Sequence, residues 1–366
     1  MKIGKIDALP LAVPFSSGPA RAGFENQKWD RLNVLIVRVE TDDGLVGFGE
    51  AFSYNCMGAV KAAVEDMVAP IAIGRDASNI AGLMRELQKA LHLFGRYGIT
   101  MFALSGLDIA LWDLAAKAAG VPLHRLLGGA ARERIPAYAS LFRYGDSEAV
   151  AERCRAALGQ GYRYVKLHEI REAEIRAARE ALGEGIPMMV DTNCPWTPEQ
   201  ARRAAEEIAP YDIYWLEEPI FPPEDFDSLA RLQVDTGIPI AAGENACTAF
   251  EFHKMFAAGA VTYAQPSVTK VGGITELMRV ADLARVHGVA LMPHSPYFGP
   301  GFLATLHIAA ALPEESLIER FYLEPEGRLY GDIIDATDGD FVVPSGPGLG
   351  IEPDAEVIDA YMNIGV

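Results

Sequence analysis

The chain has little cysteine: four in 366 residues, at positions 56, 154, 194 and 247, with no CxxC pair. That excludes a disulfide framework and a structural zinc site, and it fits a reducing cytoplasm. Positive charge is also scarce, with 32 Lys and Arg against 50 Asp and Glu, a balance of −18. Such a surface repels phosphate backbones and anionic leaflets, so neither nucleic acid nor a membrane is expected as a partner. Long apolar runs are missing at the points where they would matter. The opening MKIGKIDALPLAVPF is broken by Asp7, Pro10 and Pro14 where a signal peptide keeps its apolar core. The stretch Gly301–Leu312 is too short to cross a bilayer of ~30 Å. A dinucleotide fingerprint is absent too, since the glycine-rich GPGLG at 346–350 follows no first strand.

What is present is an ordinary folded composition, 50% apolar and 22% charged. At roughly 150 residues per domain the length suggests two domains or slightly more. Residues 32–50 read as two β-rich runs joined by Asp42-Asp43-Gly44, a hairpin signal because glycine tolerates the positive φ of the turn. From about 56 to 125 the text turns helical, and Ser105–Ala119 carries Leu107, Ala110, Leu111, Leu114 and Ala118 near helical spacing before Gly120. An α+β domain over residues 1–125 is expected.

After about residue 130 short apolar runs alternate with helical stretches rich in Ala, Glu and Arg. The runs are 163–167, 188–190, 213–216, 238–242, 261–264, 289–292 and 317–318, and 135–140 precedes them. A polar residue closes or follows each of the seven: Lys166 with His168, then Asp191, Glu217, Glu244, Ser267, His294 and Glu319. From Lys166 these lie 25, 26, 27, 23, 27 and 25 residues apart, about one βα unit each. Eight units make a (β/α)8 barrel, expected over 126–339, with 340–366 as a tail that returns to the first domain.

In such a barrel the strand ends converge at one face, so residues about 25 apart become neighbours. Asp191, Glu217 and Glu244 would then stand together, and three carboxylates in one cavity demand a cation. An all-oxygen set points to Mg²⁺, or Mn²⁺, rather than zinc. Glu218 reads as a supporting or salt-bridged neighbour. Lys166 and His168 lie two apart on one strand and leave the same face. Lys166 reads either as a base, its protonated form disfavoured beside a metal, or as a clamp for substrate charge. His168 has the better unperturbed pKa for proton transfer. His294, within Met292-Pro293-His294-Ser295, could face that pair as an acid facing a base. Glu319 could hydrogen-bond a developing enolate or pair with Arg320. The segment 16–30 with Arg21, Phe24 and Trp29, and the loop 51–56 with Phe52 and Tyr54, have the mixed aromatic and polar character to close over a hydroxylated substrate. Asn193 and Ser267 complete the expected substrate contacts.

These residues resemble the enolase superfamily, in its mandelate racemase/muconate lactonizing enzyme branch. The likeness runs essentially end to end: Glu40-Thr41-Asp42-Asp43-Gly44 through Gly49-Glu50, the run Ala103-Leu104-Ser105-Gly106-Leu107-Asp108-Ile109-Ala110-Leu111-Trp112-Asp113, Trp215-Leu216-Glu217-Glu218-Pro219, Gly243-Glu244-Asn245 and Lys270-Val271-Gly272-Gly273. The resemblance implies an α+β capping domain over a modified (β/α)8 TIM-type barrel, Mg²⁺ on Asp191, Glu217 and Glu244, and removal of a proton α to a carboxylate to give an enediolate. Three departures stand out. His168 takes the place usually held by a proton-abstracting lysine. Ser267 stands where an aspartate usually supports the histidine of the seventh strand. The glutamate after Gly243 resembles the racemase and sugar-acid dehydratase side of the branch.

A racemase needs a competent base on each face of its substrate, whereas a dehydratase can use one base and one acid. With Ser267 unable to support His294 as a strong base, dehydration of a sugar acid to its 2-keto-3-deoxy product is the expected reaction. A cycloisomerase, racemase or epimerase of a related acid or lactone is the alternative, and a non-catalytic binding barrel is the reading from a different class. The expected partner is a small carboxylate substrate, and the expected assembly a homo-oligomer.

Overall fold

The computed structural model describes residues 1–18 and 29–363. Arg21 and Phe24, two of the expected substrate contacts, lie outside them. The chain opens with an antiparallel meander, β1 (Ile3–Ser16), β2 (Arg31–Thr41) and β3 (Val46–Ala51). β2 and β3 turn at the expected hairpin, where Gly44 has φ +86°. The helix Ile99–Ala118 lies on this sheet, beginning six residues before the spacing predicts. It is long and apolar enough to cross a membrane by composition, and 78% of its most apolar window is buried inside the protein. Glycines set its distance from the sheet: a Cβ added to Gly49 would stand 1.9 Å from the Gly106 carbonyl oxygen.

Eight strands then form a curled parallel sheet: β4 (Arg134–Ser140), β5 (Val165–Leu167), β6 (Met188–Asp191), β7 (Ile213–Glu217), β8 (Ile240–Ala242), β9 (Tyr263–Ala264), β10 (Ala290–Leu291) and β11 (Ile318–Phe321). Their order is β10-β9-β8-β7-β6-β5-β4-β11, which is barrel-like. Side chains help close the seam between β10 and β11: Ser316 Oγ donates to the Leu291 carbonyl at 2.8 Å, and Ser295 Oγ accepts from Glu319 N at 3.3 Å. Inside, Tyr138, Met189, Trp215, Ala241, Met292 and Leu317 pack into one layer, so the barrel is filled rather than hollow. The fold is therefore the expected one, with one shift of boundary. Glu319 lies within the eighth strand rather than after it, because β11 runs on through two charged residues, Glu319 and Arg320, that are both buried.

The two layers are tied together close to the strand ends. Asp108, buried in the helix Ile99–Ala118, accepts from Thr275 N at 2.9 Å, and Trp112 Nε1 donates to Thr275 Oγ1 at 2.9 Å. Gly273, at φ +80°, admits this contact, for a Cβ there would lie 2.3 Å from Asp108. Glu50 at the end of β3 accepts from Gly301 N at 2.8 Å, capping the buried helix Pro300–Ala311. Beyond β12 (Glu324–Pro325), which pairs with β1, the strand β13 (Asp340–Val342) pairs antiparallel with β4. The chain then crosses to the first layer, where Leu123 N donates to the Gly348 carbonyl at 2.8 Å and Asn363 N to the Pro10 carbonyl at 2.8 Å.

Candidate active site

The loops after the parallel strands, together with residues of the first layer, enclose a cavity of about 510 Å³. Of the residues singled out from sequence, Trp29, Phe52, Tyr54, His168, Asp191, Asn193, Glu244, His294 and Glu319 line it. Lys166, Glu217 and Ser267 do not form its wall; each is at most 1% exposed and lies beneath or behind the wall.

Asp191 and Glu217 are register partners on adjacent strands, and Glu244 follows β8 by two residues. All three belong to a network with basic side chains. Lys166 Nζ stands 2.9 Å from Glu217 Oε1, 3.2 Å from Glu319 Oε1 and 3.3 Å from Asp191 Oδ2. Burial disfavours its charge, yet the carboxylates of Glu217, Glu319 and Asp191 outweigh burial and hold the ammonium well above its ordinary pKa. Lys166 is thus a buried counter-charge to these three carboxylates. The alternative that Glu319 pairs with Arg320 is also corrected, since Arg320 turns to Asp335 at 2.8 Å.

His168 has a fixed ring. Its Nδ1 meets the Leu141 carbonyl at 2.5 Å, an acceptor only, so Nδ1 carries a proton, and Nε2 is the nitrogen left to exchange one. Nε2 points to Asp191 Oδ2 at 3.2 Å. His294 approaches from β10, three strands away across the seam, with Nε2 2.6 Å from Glu244 Oε2. Burial raises the Glu244 pKa, but His294 and Lys270 outweigh it and bring the group down to about 2. At Nδ1 His294 meets the Tyr297 hydroxyl at 3.4 Å, and Tyr297 is bonded in turn to Ser267. Ser267 thus reaches His294 only through a phenol.

Among the described residues, no three His, Cys, Asp or Glu side chains form a ready metal cage. Asp191 and Glu217 are drawn to Lys166, and Glu244 to His294. The donor chemistry nonetheless fits a hard divalent cation: three carboxylates on successive strands, all oxygen. The site is also short of positive charge. Burial and the neighbouring Asp191 push the Glu217 carboxyl well above its usual range, and burial with Glu244 and Asp191 pushes Glu218 up to about 8.

Several residues of the site escaped the reading of strand ends. Lys270 lies in the quoted Lys-Val-Gly-Gly motif, and its Nζ sits 4.6 Å over the Phe52 ring and 4.0 Å from Glu244 Oε1. Tyr297 lies three residues past His294, in the loop before the helix Pro300–Ala311. Arg143 follows the end of β4, the one strand whose closing residue was not examined, and its side chain reaches across the ends of β5 and β6.

Comparison with known proteins gives this arrangement a family. Residues 12–128 match the mandelate racemase/muconate lactonizing enzyme N-terminal domain, and residues 149–357 match the enolase C-terminal domain-like family. The chain belongs to the mandelate racemase/muconate lactonizing enzyme family of the enolase superfamily. It is 33% identical over 341 residues to arabinonate dehydratase of Saccharolobus solfataricus, covering 90% of this chain and 91% of that one. It is 32% identical to D-galactarolactone cycloisomerase of Agrobacterium fabrum, covering 96% and 95%. Among solved structures, L-talarate dehydratase from Polaromonas sp. JS666, complexed with Mg and L-glucarate, superposes with a TM-score of 0.87 at 30% identity, covering 99% and 97%.

Proposed function

We propose that this protein dehydrates a sugar acid to its 2-keto-3-deoxy product after removing the proton α to the carboxylate, in a Mg²⁺-dependent reaction. Asp191, Glu217 and Glu244 would hold the ion, and a bound divalent cation supplies positive charge to a carboxylate whose α-proton is leaving. The observation that carries the reading is the fixed ring of His168: Nδ1 is tied to the Leu141 carbonyl, so Nε2 is the nitrogen at the cavity, and it would accept the α-proton once Asp191 turns from it to the ion. Lys166, paired with Glu217, Glu319 and Asp191 beneath the cavity, would set the field under the developing enediolate. His294 borders the same cavity with the Tyr297 phenol at Nδ1 and the Glu244 carboxylate at Nε2, which places a proton donor for the departing β-hydroxyl across from His168. The cycloisomerase relative makes ring opening or closure of a related lactone the second reading, because it too needs one strong base.

The test is α-proton exchange in D₂O across a library of sugar acids with Mg²⁺, followed by assay for 2-keto acids. Exchange with a 2-keto product is expected. Exchange with a lactone product instead supports the second reading, and no exchange with any acid removes both.

A further inference from the structure

We infer that Arg143 forms a subsite for a second carboxylate at the far end of the substrate, so that the preferred acid is a hydroxylated dicarboxylate. This rests on the reading above, in which the first carboxylate lies over Asp191, Glu217 and Glu244. Arg143 stands just past β4 and lines the cavity. Three acceptors anchor its guanidinium: Nε donates to the His168 carbonyl at 2.5 Å, and Nη2 donates to the Thr192 carbonyl at 3.2 Å and to Asn193 Oδ1 at 3.4 Å. All are neutral. Among the described residues Arg143 has no carboxylate within ion-pair distance, whereas Lys166 has three and Lys270 has Glu244. Among the described residues Nη1 makes no hydrogen bond, and Glu169, the acid that feels its charge, is tied to the Tyr144 and Gly145 N–H groups, so two N–H groups of the guanidinium remain available to a ligand.

Its position suits the far end of a substrate. Thr192 and Asn193 follow Asp191 beyond the strand end, so the guanidinium stands outward of the acidic floor. Trp29, Tyr54 and Phe321 line the same cavity and limit water around it, which strengthens a charge-assisted hydrogen bond. The cavity therefore has two charge requirements of opposite sign: a floor of acids that needs a cation, and a fixed guanidinium that needs an anion. A monoacid ending in a hydroxymethyl group leaves the second unmet. A single guanidinium with one free nitrogen matches a carboxylate better than a phosphate dianion, which calls for more donors.

Matched pairs of acids test the subsite: galactarate against galactonate, and glucarate against gluconate, where only C6 changes from carboxylate to CH₂OH. In the wild type kcat/KM for the diacid should exceed that for the monoacid by about tenfold or more, the effect of one hydrogen bond to a charged group. Arg143→Gln should bring that ratio close to one, and Arg143→Lys should give an intermediate value. Damage to His168 or to the loops would lower both members of a pair together and leave the ratio intact, which overturns the proposal. So does a wild-type ratio of one or less, or a preference for 6-phosphogluconate over both. If no acid is turned over, the proposed reaction fails on its own terms, and calorimetry in Mg²⁺ still reads the subsite. Galactarate binding more tightly than galactonate in the wild type, and no more tightly in Arg143→Gln, sustains it; equal or absent heats for both in the wild type overturn it.

Discussion

At the scale of single residues the site divides into positions that a period reveals and states that it does not. Asp191, Glu217 and Glu244 could be picked out because each closes an apolar run one βα unit after the last. The charge of Lys166 could not, since it depends on carboxylates that three other strands bring within 3.3 Å. The same holds for the histidines. Nothing in Lys166-Leu167-His168 says that a carbonyl from the neighbouring strand will occupy Nδ1, yet that contact decides which nitrogen faces the cavity. The two histidines should therefore separate by half-reaction. His168→Asn is expected to lower α-proton exchange in D₂O by ~10²–10⁴-fold, the usual worth of a general base. His294→Asn should keep that exchange and lose elimination. If His294→Asn stops exchange while His168→Asn does not, the base is His294 and the second-strand pair serves the substrate carboxylate instead.

Elements carry these side chains, and they are held by buried charges at their ends. The helix Pro300–Ala311 is buried and apolar apart from Thr305 and His307, and its N-terminus receives the Glu50 carboxyl from the other layer. Burial raises the Glu50 pKa to about 7, partly offset by the Gly301 N–H bond. The folded state thus holds this proton up to about pH 7, whereas the unfolded chain releases it near 4.5, so stability falls as pH rises through that window and not beyond it. Glu50→Gln keeps an acceptor for Gly301 and has no proton to lose. Its Tm relative to wild type should climb between about pH 4.5 and 7 and then level off; a difference that is constant with pH would show that Glu50 is ionised throughout. The sequence made the strands legible because each is a short apolar run between turn signals. It was less clear about β11, whose Glu319 and Arg320 are buried only because Lys166 and Asp335 meet them. The meander was legible from Asp42-Asp43-Gly44, but its link to the barrel rests on contacts 167 residues apart, such as Asp108 with Thr275, that no local pattern carries.

Over the whole molecule, the site lies where the capping layer meets the strand ends, and it concentrates an excess of acid in a chain whose balance is already −18. Glu218, beside the proposed ligands, is pushed up to about 8 by burial and by Glu244 and Asp191, so the folded protein holds a proton there that a cation could displace. Mg²⁺ binding to the folded state alone should stabilise it by mass action, by about 2.7 kcal/mol at a hundredfold excess over Kd. Binding should also release protons, because carboxylates that ligate a metal must be ionised. The expected result is a Tm that rises with Mg²⁺ and falls back with EDTA, accompanied by proton release measurable in two buffers of different ionisation enthalpy. Glu217→Gln should abolish both responses while a cooperative metal-free unfolding transition remains. A rise in Tm with Mg²⁺ that survives Glu217→Gln would place the ion elsewhere on this acidic surface.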